Sequence, residues 1–480
     1  MRILSQRSRK ARPASTVKGR CRLGSEMLEN RIVLTASSAG FVVDGADLYY
    51  EVVGIDTADT IKLYTDISGD SNIDVTNADG MSSHSVSAGD IANAQLMTSK
   101  AYAGVRIRSL GGDDFVDAKM LTGDKVHVLG GDGMDLIYGS PNMDVLEGGD
   151  MDDIIFGGAQ MDVLKGQGGD DYLDGEAGPD EIRGGGGDDT VIADAEDTDA
   201  GKTLAGGGGT DKIDFSGSGP GVGFMWMGCS MDGINYKNNG FERIVGSKYD
   251  DLIDNSAFTS GDLRVWARAG DDVILSSPGA DLIDGQAGND WISYEKAASG
   301  VNVDLTLTVQ SDPGSEADGD ELRSIENLTG SEFDDVLTGD NGDNAIKGLK
   351  GRDDLFGGRG DDILLGGDQG DRLFGELGND YLDGGAGRDR IYGGTGVDTA
   401  VVNWERDVTG AHPDQEIFLG GEVDTVLYEK VFSGSPLSVD LSKVNDNDDF
   451  LNDLHDDNKS DFDEGVDNTE WYDVVPDPLC

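Results

Sequence analysis

The chain's 480 residues carry 94 acidic against 37 basic side chains, a formal charge of −57, which excludes nucleic acid and anionic membrane surfaces as partners and favours cations. Its 74 Gly with only 10 Pro rule out a collagen-like chain, and 37% hydrophobic residues in short regular runs argue against disorder. Three cysteines, Cys21, Cys229 and Cys480, are too few and too far apart for a disulfide framework or a zinc site, and no apolar run approaches the length of a membrane span.

Residues 2–22 hold Arg2, Arg7, Arg9, Lys10, Arg12, Lys18, Arg20 and Arg22 and no acid. The segment that follows, MLENRIVLTA (27–36), has an apolar part shorter than an ordinary secretory segment. Its Leu-Glu-x-Arg pattern ahead of a few aliphatics and a small residue resembles the N-terminal segments of planctomycete surface and secreted proteins. That resemblance implies export, so residues 1–40 are read as a leader. Between 41 and 126, FVVDGADLYYEVVG and TIKLYTD alternate enough to predict strands, an irregular β cap on what comes next.

From Gly130 the frame G-G-x-G-x-D-x-U-x, with U a large aliphatic, runs unbroken. Asp135, Asp144, Asp153, Asp162, Asp171, Asp180 and Asp189 fill its sixth position, and Ile137, Leu146, Ile155, Leu164, Leu173, Ile182 and Val191 its eighth. A short run places Asp272, Asp281 and Asp290 in phase, with Ile274, Ile283 and Ile292 two residues on. A third, from Gly330, places Asp335, Asn344, Asp353, Asp362, Asp371, Asp380, Asp389 and Asp398 in phase. Three columns held in register over so many units are not chance.

These columns resemble the RTX, or hemolysin-type, calcium-binding nonapeptides. The resemblance implies an all-β fold, a parallel β-roll or β-helix solenoid in which two nonapeptides make one 18-residue coil. The residues alone point the same way. A U side chain flanked by two x residues is a minimal strand with U facing inward, and glycines permit positive-φ turns between strands. The organisation expected is a first roll at 127–200, degenerate repeats and a β insert at 201–260, a short second roll at 261–299, an insert at 300–329 and a third roll at 330–402. A degenerate β cap at 403–443 and an acidic, disordered tail at 444–480 complete it.

A longer period links the runs. FERIVGSKYDDLI (241–253) parallels IENLTGSEFDDVL (325–337), and GVGFMW (221–226) parallels GVNVDL (300–305), with PLSVDL (436–441) a further isolated copy. Single units of the same type carry Asp211 and Asp251, and the spacing from Asp114 to Asp135 repeats from Asp251 to Asp272.

Coils in such a stack lie about 4.8 Å apart, so neighbouring carboxylates would repel by about 3 kcal/mol at an effective dielectric of 20. A hard divalent cation between the turns reverses that sign, and carboxylates with glycine carbonyls form an all-oxygen shell suited to Ca²⁺. The predicted ligands are the sixth-position Asp residues of the three runs, with Asn344 a weaker, neutral member, holding about a dozen ions. Asn142, Met151 and Gln160 stand where the first run's turns call for glycine; Asn tolerates positive φ while Met and Gln do so reluctantly, which makes the sites of residues 139–165 less regular than those of the third run, where Gln369 marks the weakest turn. Asp354 and Asp361 fall out of phase and are expected only to decorate the surface.

No H-E-x-x-H or G-x-S-x-G occurs, His84, His127, His412 and His455 are scattered, and no catalytic role is expected. Phe224, Met225, Trp226 and Met227 form one apolar cluster, read as a capping contact ahead of a ligand patch, and DDNKSDFDEGVD (456–467) is a poor EF-hand loop. The expectation is a secreted or surface-associated, calcium-dependent roll with a structural or adhesive role. Its partners would be calcium and a cell-surface or matrix polysaccharide or protein. The alternatives are a calcium-dependent module of a secreted protease, lipase or alginate epimerase, or a toxin-like RTX protein.

Overall fold

A computed structural model describes residues 101–198, 202–220, 233–259 and 261–403, with strand segments between 38 and 86, at 224–226 and 229–231, and at 416–418 and 425–429. The basic leader up to residue 37, PLSVDL, the acidic tail and the 456–467 loop lie outside the described residues.

The eighth-position aliphatics decide the fold, because each is apolar, flanked by polar residues, and able to leave water only by facing its counterparts. Leu146, Leu164, Leu355 and Leu373 are fully buried, and one continuous core column runs from Ile61 to Ala400. Pairing is parallel and offset by one coil, Leu146 against Leu164 and Leu355 against Leu373 in one pair of sheets, Ile155 against Leu173 and Leu364 against Leu382 in the other. Each coil is therefore 18 residues, and alternate nonapeptides lie in opposite sheets of a parallel β-roll. Among the described residues there is no α-helix.

The strands are longer than the three residues the frame predicts. Val145–Asp150 spans six, from the seventh position of one unit to the third of the next, with Leu146 and Gly148 both facing inward. The first-position glycine is thus a strand residue whose missing side chain leaves room for something else. Outward-facing ninth positions stack along the roll, and Phe356, Phe374 and Tyr392 lie with ring centroids 4.8 and 4.7 Å apart.

The longer period changes which sheets face each other. An 8-stranded sheet ends at Leu204–Gly208 and a 10-stranded sheet opens at Asn235–Lys237, while the 13-stranded sheet runs through by pairing Lys212–Asp214 with Arg243–Val245. The 13-stranded sheet in turn ends at Glu321–Arg323 and a 6-stranded sheet opens at Asn302–Asp304, while the 10-stranded sheet runs through by pairing Trp291–Ser293 with Asn327–Thr329. Each insert lets one sheet stop and another start without breaking the core. The Phe224–Trp226 strand forms a separate antiparallel pair with Cys229–Met231; the side chains of its apolar cluster lie outside the described residues. At the N-terminal end Ser38–Asp44 and Asp47–Val53 are strands, as the alternation predicts, and they pair as an antiparallel hairpin.

Candidate metal centre

Two positions of each regular turn take φ values that favour glycine. Gly185 and Gly187, second and fourth in their unit, both lie at φ 133. Met151 (φ 78), Gln160 (φ 69) and Gln369 (φ 87) hold the same shape with a side chain present, at a strain of about 1 kcal/mol each. Asn142 holds no positive φ.

This turn folds the sixth-position Asp back over the roll's edge. All seventeen Asp residues expected as ligands are buried, none more than 3% exposed. Within the ladders the Oδ1 atom accepts a backbone N–H from the matching residue one coil earlier, Asp153 to Asp171 at 2.8 Å and Asp171 to Asp189 at 2.9 Å, while Asp144, Asp281 and Asp335 accept theirs from Val126, Leu263 and Val301. In the third roll Asp353 donates to Asp371 at 2.9 Å and Asp371 to Asp389 at 3.0 Å, while Asp362 donates to Asp380 at 2.9 Å and Asp380 to Asp398 at 3.1 Å. Carboxylate ladders thus line both edges, each acid held by the coil before it. The first-position glycine makes this possible, since a Cβ on Gly166 would sit 2.0 Å from Asp171 Oδ2 and 2.7 Å from the carbonyl of Gly184.

The second oxygen of these acids is where the chemistry lies. Oδ2 of Asp135, Asp153, Asp162, Asp171, Asp180, Asp189, Asp272, Asp290, Asp353, Asp362, Asp371 and Asp380 is buried and accepts no hydrogen bond. Burial, with the charges of Asp389, Asp354 and Asp368 adding to it, pushes Asp371 up to about 7. Burial likewise pushes Asp353 and Asp162 up to about 8, and Asp272, which also faces Asp251, up to about 9. A buried carboxylate oxygen without a donor is costly and calls for a proton or a cation.

Calcium fits what is there. Each cradle offers a carboxylate oxygen and glycine carbonyls of stacked coils, all hard oxygen donors, in a space that any side chain at the glycine would fill. Among the described residues no three His, Cys, Asp or Glu side chains converge on one point, so backbone carbonyls would have to complete the shell of any site. A bound cation would supply the positive charge the ladder lacks, and the chain holds two carboxylates and two turns in place per coil, one of each at either edge.

The pattern of the family described as RTX calcium-binding nonapeptide repeat (4 copies) matches residues 129–164, 165–197, 264–295, 329–364 and 365–400. These segments are RTX calcium-binding nonapeptide repeats. No curated protein matches the chain. The RTX segments coincide with the regular ladders, and the inserts between them fall outside the matches.

The structure also places residues that the frame leaves out. Asp114 donates its N–H to Asp135 at 2.8 Å, and Asp211 accepts from Asp189 at 2.9 Å, so both join a ladder. At the inserts the acceptor is no longer the sixth-position Asp 18 residues on. Glu242 takes the N–H of Asp211 at 2.7 Å and Glu326 that of Asp290 at 2.8 Å, while Asp197 and Asp320 serve Asp180 and Asp281. The signal for the two glutamates was present in the parallel between FERIVGS and IENLTGS.

Asp361 is more than surface decoration. Its Oδ1 accepts the N–H of Asn379 at 2.8 Å and the Asn379 side-chain amide at 3.1 Å, one coil on, and fifth-position acids such as Asp152 and Asp170 make the same exposed bond. Asp354 pairs with Arg372 across neighbouring coils. Asn344 accepts the N–H of Asp340 at 2.8 Å and donates its amide to the carbonyl of Glu326 at 2.7 Å, so its side chain is already engaged. Asp144, Asp281 and Asp335 also differ from the rest, because a serine meets their second oxygen.

Proposed function

We propose that this chain is an extracellular β-roll that folds on binding several calcium ions and serves a structural or adhesive role at a cell surface or in a matrix. The observation that carries the reading is the row of buried carboxylate oxygens without donors inside RTX repeats. The roll's hydrophobic column is only one residue wide per strand, so the core alone is poorly placed to offset a stack of desolvated acids. Cations between the turns supply the missing term, which makes binding and folding one event. Modular extracellular calcium sites bind at about 10⁻⁴–10⁻³ M, so the chain would order outside a cell and stay loose at cytosolic calcium. Export by the N-terminal segment agrees with this. The reading gives the chain no catalytic role, since acids held in ladders and committed to calcium are not free as general acids.

The test is circular dichroism with calorimetric titration, first of calcium and then of chelator. A gain of β signal between micromolar and millimolar calcium, with several ions bound per chain, is expected. An unchanged spectrum, or a stoichiometry near one, overturns the reading.

A further inference from the structure

Three turns share a motif that the repeat frame does not contain: GSPNMD (139–144), GSKYDD (246–251) and GSEFDD (330–335). In each, the sixth-position acid is fully engaged by its own turn. Asp335 Oδ2 accepts the N–H of Ser331 at 2.6 Å, and its Oδ1 accepts the Ser331 hydroxyl at 2.7 Å. Asp251 takes the N–H and hydroxyl of Ser247 at 2.6 Å each, and Asp144 takes those of Ser140 at 2.5 and 3.0 Å. The serine hydroxyl in turn accepts the N–H of the fourth residue, Asn142 at 3.2 Å, Tyr249 at 3.1 Å and Phe333 at 3.1 Å.

These turns also share a place. The N–H that reaches Asp144, Asp251 or Asp335 from the coil before belongs to Val126, Ile234 or Val301, not to an acid. From there on the ladder is regular, with Asp144, Asp251 and Asp335 donating to Asp162, Asp272 and Asp353. Each serine turn therefore opens a ladder, at the one coil with no carboxylate behind it.

We propose that the turns of Ser140, Ser247 and Ser331 are built-in caps that bind no calcium and replace the cation with hydrogen-bond donors at the start of the three ladders they open. The inference rests on calcium binding by the regular turns and adds which turns are exempt. Chemistry separates the two kinds. None of the second- and fourth-position residues of the caps holds a positive φ, and their N–H groups point at the acid and the hydroxyl. A cation there would face amide hydrogens where the regular turn presents oxygen, and it would find no unmet carboxylate oxygen. Ser277 donates its hydroxyl to Asp281 at 2.9 Å, but Gly279 keeps φ 155, so that turn is left outside the assignment.

The full chain and three variants, each checked for folding by circular dichroism in calcium, test this by counting bound ions calorimetrically. Asp335→Asn should leave the count unchanged, and Asp353→Asn should lower it by one or more. The double variant Ser331→Gly with Phe333→Gly recreates the regular turn and should raise the count by about one. Loss of an ion in Asp335→Asn, or no gain in a folded double variant, overturns the caps while leaving calcium binding intact. A wild-type chain that binds no calcium overturns both.

Discussion

Leu373→Ala separates the core from the carboxylates and measures how tightly the two are coupled. Leu373 is fully buried, pairs with Leu355 on one side and Ile391 on the other, and lies two residues from Asp371 without contributing an oxygen to it. Truncating such a leucine costs about 3 kcal/mol, because the stacked neighbours on both coils cannot collapse into the gap. If folding takes up about six ions together, that loss is shared among them, at 1.36 kcal/mol per tenfold in each. The calcium midpoint should then rise only about two- to threefold, with the number of ions unchanged. Far-UV circular dichroism gives the midpoint and calorimetry the count. A midpoint that does not move would show that the core is not part of the calcium-linked transition. A fall in ion number would show that the leucine column and the sites are not separable, and either result refutes the reasoning.

Asp371→Ala and Asp380→Ala each remove a ladder acid and should lose about one or two ions with lower cooperativity, read by calorimetry. Protons compete for the same oxygens, so a carboxyl at about 7, such as Asp371 or Asp380, should bind calcium about 25-fold more weakly per site at pH 5.5 than at pH 7.5, where an ordinary exposed carboxylate would change by under a tenth. Because these values are raised on folding, the calcium-free roll is favoured by low pH and loses that contribution as pH rises through about 7, so chelated protein should show more β signal at pH 5.5 than at pH 8. Gln369→Gly should stabilise the calcium-loaded chain by up to about 1 kcal/mol by relieving its φ of 87, visible as a higher thermal midpoint. Asp354→Ala, which breaks only a surface ion pair, should shift stability by under about 1 kcal/mol. Asp361→Ala, which removes a bond to the next coil's backbone, should cost about 1 kcal/mol, and equal melting of the two variants would remove that distinction.

The sequence alone determined the nine-residue period, the inward column and the periodic acids, and the family resemblance implied the 18-residue coil. Its nine-residue beat is a local constraint: an aliphatic must face inward, and a chain that reverses every nine residues has few other ways to bury it. It could not show that the first glycine is a strand residue cleared for the Asp371-type carboxylate, because that contact is made with the residue five places on and with the next coil. Nor could it show that Glu242 and Glu326 continue ladders across the inserts, at separations of 31 and 36 residues that no fixed period contains. The fate of each acid's second oxygen was decided only in three dimensions. Asp335 and Asp353 occupy the same position of the same frame, yet Ser331 meets one with donors and the turn of the other leaves its oxygen bare. Sequence placed the carboxylates on the edge of the roll, and the hydrogen bonds of each turn determined which of them still need a cation.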